Sequence, residues 1–171
     1  MAKTILIPTD FTVKSLNLAK MALQKSLDPQ EKIKIILIHG LMASTSITEL
    51  LFYSKSRVLA DLETPEFQAS CNLLLSKFDG KIERMTIDIF SGFTQAAFEN
   101  YLEANRIDEV YLPGNHKLKL ASRSSFDLLP FFNKCRLPKI KVDWEDISIS
   151  SHEDRENAIS TLFFTRGQIA H

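Results

Sequence analysis

The chain has 171 residues, 44 % of them apolar and 25 % charged, and its 21 Lys plus Arg balance its 21 Asp plus Glu. These values describe one globular domain with an appendage, able to bury a full core. Balanced charge excludes a global field for nucleic acid or anionic membrane, so neither is expected as a partner.

The two cysteines, Cys71 and Cys135, are far apart in the chain. Metal and redox motifs need paired spacing, so both read as core thiols. No apolar run approaches the ~20 residues of a membrane helix. The chain enters a strand directly, without the pattern of a signal peptide, and a cytoplasmic location is expected.

Ile5-Leu6-Ile7-Pro8 is a continuous apolar run, which suits a strand covered on both faces. It stops at Thr9-Asp10, and Thr12 caps a helix with Leu16, Ala19, Leu23 and Leu27 on one stripe. Asp28-Pro29 ends that helix. The second strand spans 33–38 and closes at His39-Gly40. Strand, helix and strand make a right-handed crossover with parallel strands.

Residues 41–63 read as broken helix, with a mobile start at 43–46. Thr64 caps the next helix and Pro65 takes its first position, with Phe67, Cys71, Leu74, Leu75 and Phe78 inward and Gly80 as the stop. Residues 82–89 alternate imperfectly, as expected of a strand near a sheet edge. Ser91-Gly92 opens a helix with Phe93, Ala96, Ala97, Tyr101 and Leu102 inward, ended by Asn105. A fourth strand over 108–113 runs into Gly114-Asn115-His116 and a basic loop carrying Lys117, Lys119 and Arg123. A short helix follows with Leu128, Leu129, Phe131 and Phe132, for which Asp127 is the better cap because Pro130 belongs in the first turn. The fifth strand spans 138–142, where Lys139 and Lys141 would protect an exposed edge. Residues 1–143 thus form a doubly wound α/β domain, and 144–171 an extension. Ser150-Ser151-His152-Glu153 fits a capping box, Ala158, Ile159, Leu162 and Phe163 a narrow apolar face, and Arg166-Gly167 a stop. One amphipathic helix is expected there.

If strands one and four are neighbours, a crevice opens at their carboxyl ends. Asp10 would form one lip and Gly114-Asn115-His116 the other. Asp10 could accept hydrogen bonds from adenine or ribose, or it could simply cap the first helix. Lys117, Lys119, Arg123 and the neighbouring serines could hold phosphates, or form a solvated face. His39 reads as a structural hydrogen-bonder. No nucleophile elbow, P-loop or metal-ligand histidine spacing is present, and no catalytic or metal residue is assigned.

Residues 1–142 resemble the universal stress protein family. The likeness rests on 5–12 (Ile-Leu-Ile-Pro-Thr-Asp-Phe-Thr), on Ile36-Leu37-Ile38-His39, on Gly92, on 108–116 and on 135–142. It implies a five-stranded parallel sheet in order 3-2-1-4-5 with helices on both faces, frequent homodimers and, in one branch, ATP binding. It places ligand contacts at Pro8, Thr9, Asp10, Ile38, Gly114, His116 and Ser125. The ATP-binding branch carries G-x2-G-x9-G-[ST]. Here Gly114 supplies the first glycine, Lys117 stands at the second, and Ser124-Ser125 is the nearest, early analogue of the third. The expected function is a non-catalytic stress-response or regulatory protein with weak or lost ATP binding. The alternatives are an ATP-binding member with slow hydrolysis, or a protein-interaction adaptor using residues 41–63 and the C-terminal helix.

Overall fold

Ile5, Leu6 and Ile7 are all buried because β1 (Lys3–Pro8) is the central strand of a sheet with helices on both faces. This computed structural model describes residues 1–26, 28–144 and 167–170. Four further strands run parallel to β1: β2 (Ile33–Gly40), β3 (Ile82–Phe90), β4 (Glu109–Pro113) and β5 (Lys139–Trp144). A sixth, β6 (Gly167–Ile169), pairs antiparallel with β5. The order is β3-β2-β1-β4-β5-β6.

The five parallel strands stand in the expected order, and β6 corrects the strand count. It also corrects the reading of Lys139 and Lys141 as guards of an open edge: β5 is an inner strand. Its pairing partner lies some 25 residues later and has too short a sequence to declare itself. The β3 end is an edge, as its alternation suggested, with Glu83 and Arg84 exposed. The expected C-terminal helix, and Leu27 of the first stripe, lie outside the described residues. Gly167, expected as that helix's stop, begins β6.

Thr12 caps a 3-10 turn over Val13–Leu16 that continues into α1 (Asn17–Lys25). Residues 41–63 hold two short helices, α2 (Ile47–Leu51) and α3 (Lys55–Leu62), each capped by its own serine, Ser46 and Ser54. Thr64 and Pro65 start α4 (Pro65–Lys77) as expected. Leu75 is exposed rather than inward. α5 (Gln95–Ala104) starts three residues later than expected, capped by Thr94. Phe93 therefore precedes the helix and is exposed, as is Ala96, while Phe98 and Leu102 are buried. α6 (Leu129–Lys134) has Pro130 in its first turn, and Asp127 Oδ1 accepts from the Leu129 amide at 2.9 Å.

One face of the sheet packs Ile5, Ile7, Ile35, Leu37, Tyr111 and Val142 against Leu16, Leu23, Phe67 and Leu74 of the α1 and α4 layer. The other packs Leu6, Ile38, Phe90, Val110 and Leu112 against Phe98, Leu102, Leu128 and Phe132. Cys135 is buried and Cys71 half-buried. Burial, aided by nearby Glu63, pushes the Cys71 thiol up to about 12, so it stays protonated and unreactive at neutral pH.

Candidate functional site

The parallel crossovers put the carboxyl ends of β1, β2 and β4 side by side, and the turn after β1 is drawn tight there. Thr9 is buried, its amide donating to the Ile38 carbonyl at 2.9 Å. Its hydroxyl accepts from the Phe11 amide at 3.1 Å and shares a 3.0 Å bond with Ser15 Oγ. Phe11 has φ of 61°, uncommon for a bulky side chain. Packing holds it: its ring meets His39 edge-on at 4.9 Å and Phe67 at 5.5 Å.

Both oxygens of Asp10 are engaged. Oδ1 accepts from the Thr12 amide at 3.0 Å and the Thr12 hydroxyl at 2.5 Å. Oδ2 accepts from the Lys119 amide at 2.9 Å. Asp10 therefore caps the helix entry, and its second oxygen ties the basic loop across the strand ends. Asp10→Ala removes all three bonds and should cost about 2 kcal/mol. Urea denaturation reads that cost, and hydrogen exchange should quicken at Lys119; unchanged exchange would mean the loop is held elsewhere.

His39 pins the same loop from β2. Its Nδ1 lies 2.8 Å from the Thr9 carbonyl oxygen, which can only accept, so Nδ1 carries the proton. Nε2 is then the acceptor of the Ser125 hydroxyl at 2.7 Å. Ser125 Oγ also accepts from the Ser122 amide at 3.0 Å. Burial holds the imidazole below its usual pKa, against the opposing Thr9 bond and Asp10 charge. Backbone bonds complete the attachment: Met42 N to Ser124 O at 2.8 Å and Phe126 N to Gly40 O at 3.0 Å. Gly40 permits this approach, since a Cβ there would stand 2.6 Å from Phe126 O.

Pro8, Thr9 and Ile38 line the space left between the strand ends and the loop, with His39, Gly40, Leu118, Lys119, Leu120 and Phe126 to Leu128. Its volume is about 20 Å³, room for roughly one water. Asp10 and Ser125 sit beside it, bound to the loop. Gly114 and His116 are not brought to it. A Cβ on Gly114 would meet Asp143 Oδ1 at 2.1 Å. The His116 ring stacks on Trp144 at 4.4 Å, and Asn115 Nδ2 donates to the Trp144 carbonyl at 2.8 Å. This segment faces the end of β5. Lys117, Lys119 and Arg123 are exposed, and the Asp127 carboxylate occupies the amide at the start of α6 where an anion would have to bind. The contact sequence reasoning missed is the Lys119 amide, a donor that every non-proline residue carries. His39 is the structural hydrogen-bonder expected.

Among the described residues no group of three or more His, Cys, Asp or Glu could hold a metal ion, and no helix is long and apolar enough to cross a membrane.

A doubly wound parallel sheet whose order reverses between β1 and β4, with the loop after β4 closed over the carboxyl ends of β1 and β2, defines a nucleotide-binding-type α/β fold. More narrowly, it is the fold of the universal stress proteins. The chain is similar to UspA from Lactobacillus plantarum, with a TM-score of 0.53 and 12 % identity over 81 % of this chain and 96 % of that one. Two other universal stress proteins overlay less closely. One is in complex with cAMP (TM-score 0.47, 14 % identity, 81 % and 95 % covered). The other is from Arabidopsis thaliana with AMP bound (TM-score 0.45, 10 % identity, 82 % and 91 % covered). The fold likeness rests on the first. No protein-family model matches the sequence, and no curated protein matches it either.

Proposed function

We propose that the chain is a non-catalytic regulatory protein of universal stress protein type that works without a bound nucleotide. The observation that carries this reading is the filled crevice. Small-molecule sites are typically ~300–1,000 Å³, against about 20 Å³ here. The carboxylate that could receive adenosine already binds Thr12 and the Lys119 amide. The sequence supports the same reading: Lys117 and the glycine-free stretch after it put side chains where the ATP-binding pattern has glycines.

The test is direct. Freshly purified protein is denatured and searched for released nucleotide by mass spectrometry, then native protein is titrated with ATP by calorimetry. No nucleotide and no heat at millimolar ATP are expected. Co-purified adenine nucleotide, or binding that Asp10→Ala weakens, would overturn the reading in favour of an ATP-binding member whose loop swings clear of β1.

A further inference from the structure

Apart from Met1 and two leucines of α4, every large apolar side chain exposed among the described residues lies in a connection leaving the carboxyl end of β2, β3 or β4. Because these strands are parallel, their exits share one end of the sheet. After β2 come Ile47, Leu51 and Phe52, each 76 % exposed, with Met42, Leu50 and Tyr53 about half exposed. Phe93 follows β3 and Leu120 follows β4. The α2–α3 hairpin is anchored, since Lys55 Nζ reaches Asp88 Oδ1 at 2.8 Å and Tyr101 donates to the other oxygen at 2.7 Å. The loop after β4 adds charge. From Gly114 to Phe126 it carries Lys117, Lys119 and Arg123 and no acid. All three are exposed, and among the described residues their side chains make no hydrogen bond or ion pair. A groove of about 570 Å³ joins the two parts, with Leu50, Phe52 and Tyr53 on the hairpin side and Ser122 and Ser124, the neighbours of Arg123, on the loop side.

We propose that this end of the molecule docks on the surface of an anionic lipid bilayer. The apolar side chains of the hairpin enter the headgroup layer, and the basic loop meets the lipid phosphates. Two observations name a bilayer as the occupant. The first is area. At roughly 150–250 Å² for a large side chain, the six exposed apolar residues from Met42 to Tyr53 present on the order of 700 Å², above the ~300–600 Å² of the largest patch on a typical monomer. The second is charge complementarity. Apolar area and attraction to anionic lipid add at a bilayer surface, and here an acid-free basic loop borders the apolar patch. Of the acids nearby, Glu49 accepts from Ser44, Asp127 accepts from the Leu129 amide, and Asp61 stands one helical turn from Arg57, which offsets it. Lys117, Lys119 and Arg123 are therefore the excess. The balanced total charge does not oppose this, because attraction to a charged surface is screened beyond about 8 Å. The contact lies on the bilayer, since no helix among the described residues can cross it. It is independent of whether the crevice holds nucleotide.

The experiment is co-sedimentation of the full chain with two kinds of vesicle, pure phosphatidylcholine and the same lipid mixed with phosphatidylglycerol. Binding is expected to the mixed vesicles, at least tenfold weaker binding to the pure ones, and release as salt is raised. Replacing Lys117, Lys119 and Arg123 together by Gln should weaken binding on the order of a hundredfold, about fivefold per charge. Leu51→Asp with Phe52→Asp should weaken it at least tenfold while leaving the melting temperature unchanged, because both residues are exposed. No binding to the mixed vesicles overturns the proposal, as does equal binding to both kinds. Mixed-vesicle binding indifferent to the Leu51 and Phe52 substitutions overturns the entry of the hairpin into the headgroup layer. A protein complex that those two substitutions abolish, formed by a chain that ignores vesicles, would assign the surface to a protein instead.

Discussion

Phe98→Ala is expected to destabilise the protein by about 3–5 kcal/mol, the range for removing a fully buried aromatic ring. The ring is wholly buried. It meets Phe90 edge-on at 5.4 Å, stacks on Phe131 at 5.7 Å and lies 5.2 Å from Phe132. It therefore joins α5, α6 and β3 on one face of the sheet. A cavity there has aromatic walls on three sides, Phe90 from β3 and Phe131 and Phe132 from α6, so collapse can recover little of the loss. At about 2–4 °C per kcal/mol for a chain of this size, the melting temperature should fall by roughly 10 °C. Phe98→Leu, which keeps most of the volume, should cost less than half as much. The consequence reaches the crevice, because Leu128 and Phe126 pack in the same cluster. Hydrogen exchange in residues 117–128 should quicken in the alanine variant. A loss below about 1 kcal/mol, far under the usual range for Phe→Ala, would mean that the cluster is held without this ring.

Phe98 is absent from the stripe expected for this helix for a definite reason. That stripe is anchored on Phe93, whereas the Thr94 hydroxyl accepts from the Ala97 amide, so the helix begins after Phe93; Ala97, Tyr101 and Leu102 do pack inward. Phe93 then lies outside the helix, and Phe98, four residues before Leu102, shares its buried face. By contrast β1, β2 and β4 were legible, because burial on both faces demands an unbroken apolar run. Thr64-Pro65 was legible because cap and first-turn preferences are local. What stayed hidden is non-local. Gly167-Gln168-Ile169 has no pattern that marks a strand, and its pairing with β5 depends on register across the chain. The crevice divides in the same way. Asp10 was read as both cap and ligand contact, and its cap role is now tied to Thr12. The closing loop could not be foreseen, since its tie to Asp10 is a backbone amide, which carries no residue signature. Gly114 looked like room for a ligand, and that room holds the Asp143 carboxylate.

His39→Ala should be the substitution that most directly loosens the crevice. It removes two buried hydrogen bonds and the edge contact with Phe11, leaving the Thr9 carbonyl without its side-chain donor. A cost of about 2–4 kcal/mol follows from unsatisfied buried polar groups and the cavity together. Ser125→Ala removes the loop-side bond to His39 and the acceptor of the Ser122 amide, and should cost about 1–2 kcal/mol, less than His39→Ala because Nδ1 of His39 keeps its acceptor. The pair separates loop attachment from the rest. The effect also has a pH signature. Burial holds the folded-state pKa of His39 below 6.5, its ordinary value. The unfolded chain then binds the extra proton first as pH falls, so this contribution is fully present above about 6.5 and is lost as pH drops toward the folded-state pKa. Urea denaturation of both proteins between pH 5 and 8 should show the wild-type advantage over His39→Ala shrinking on the acid side. An advantage that grows on acidification would mean that the imidazole is charged in the fold, with Nε2 donating to Ser125, and the loop would then be held by a cation rather than by a neutral ring.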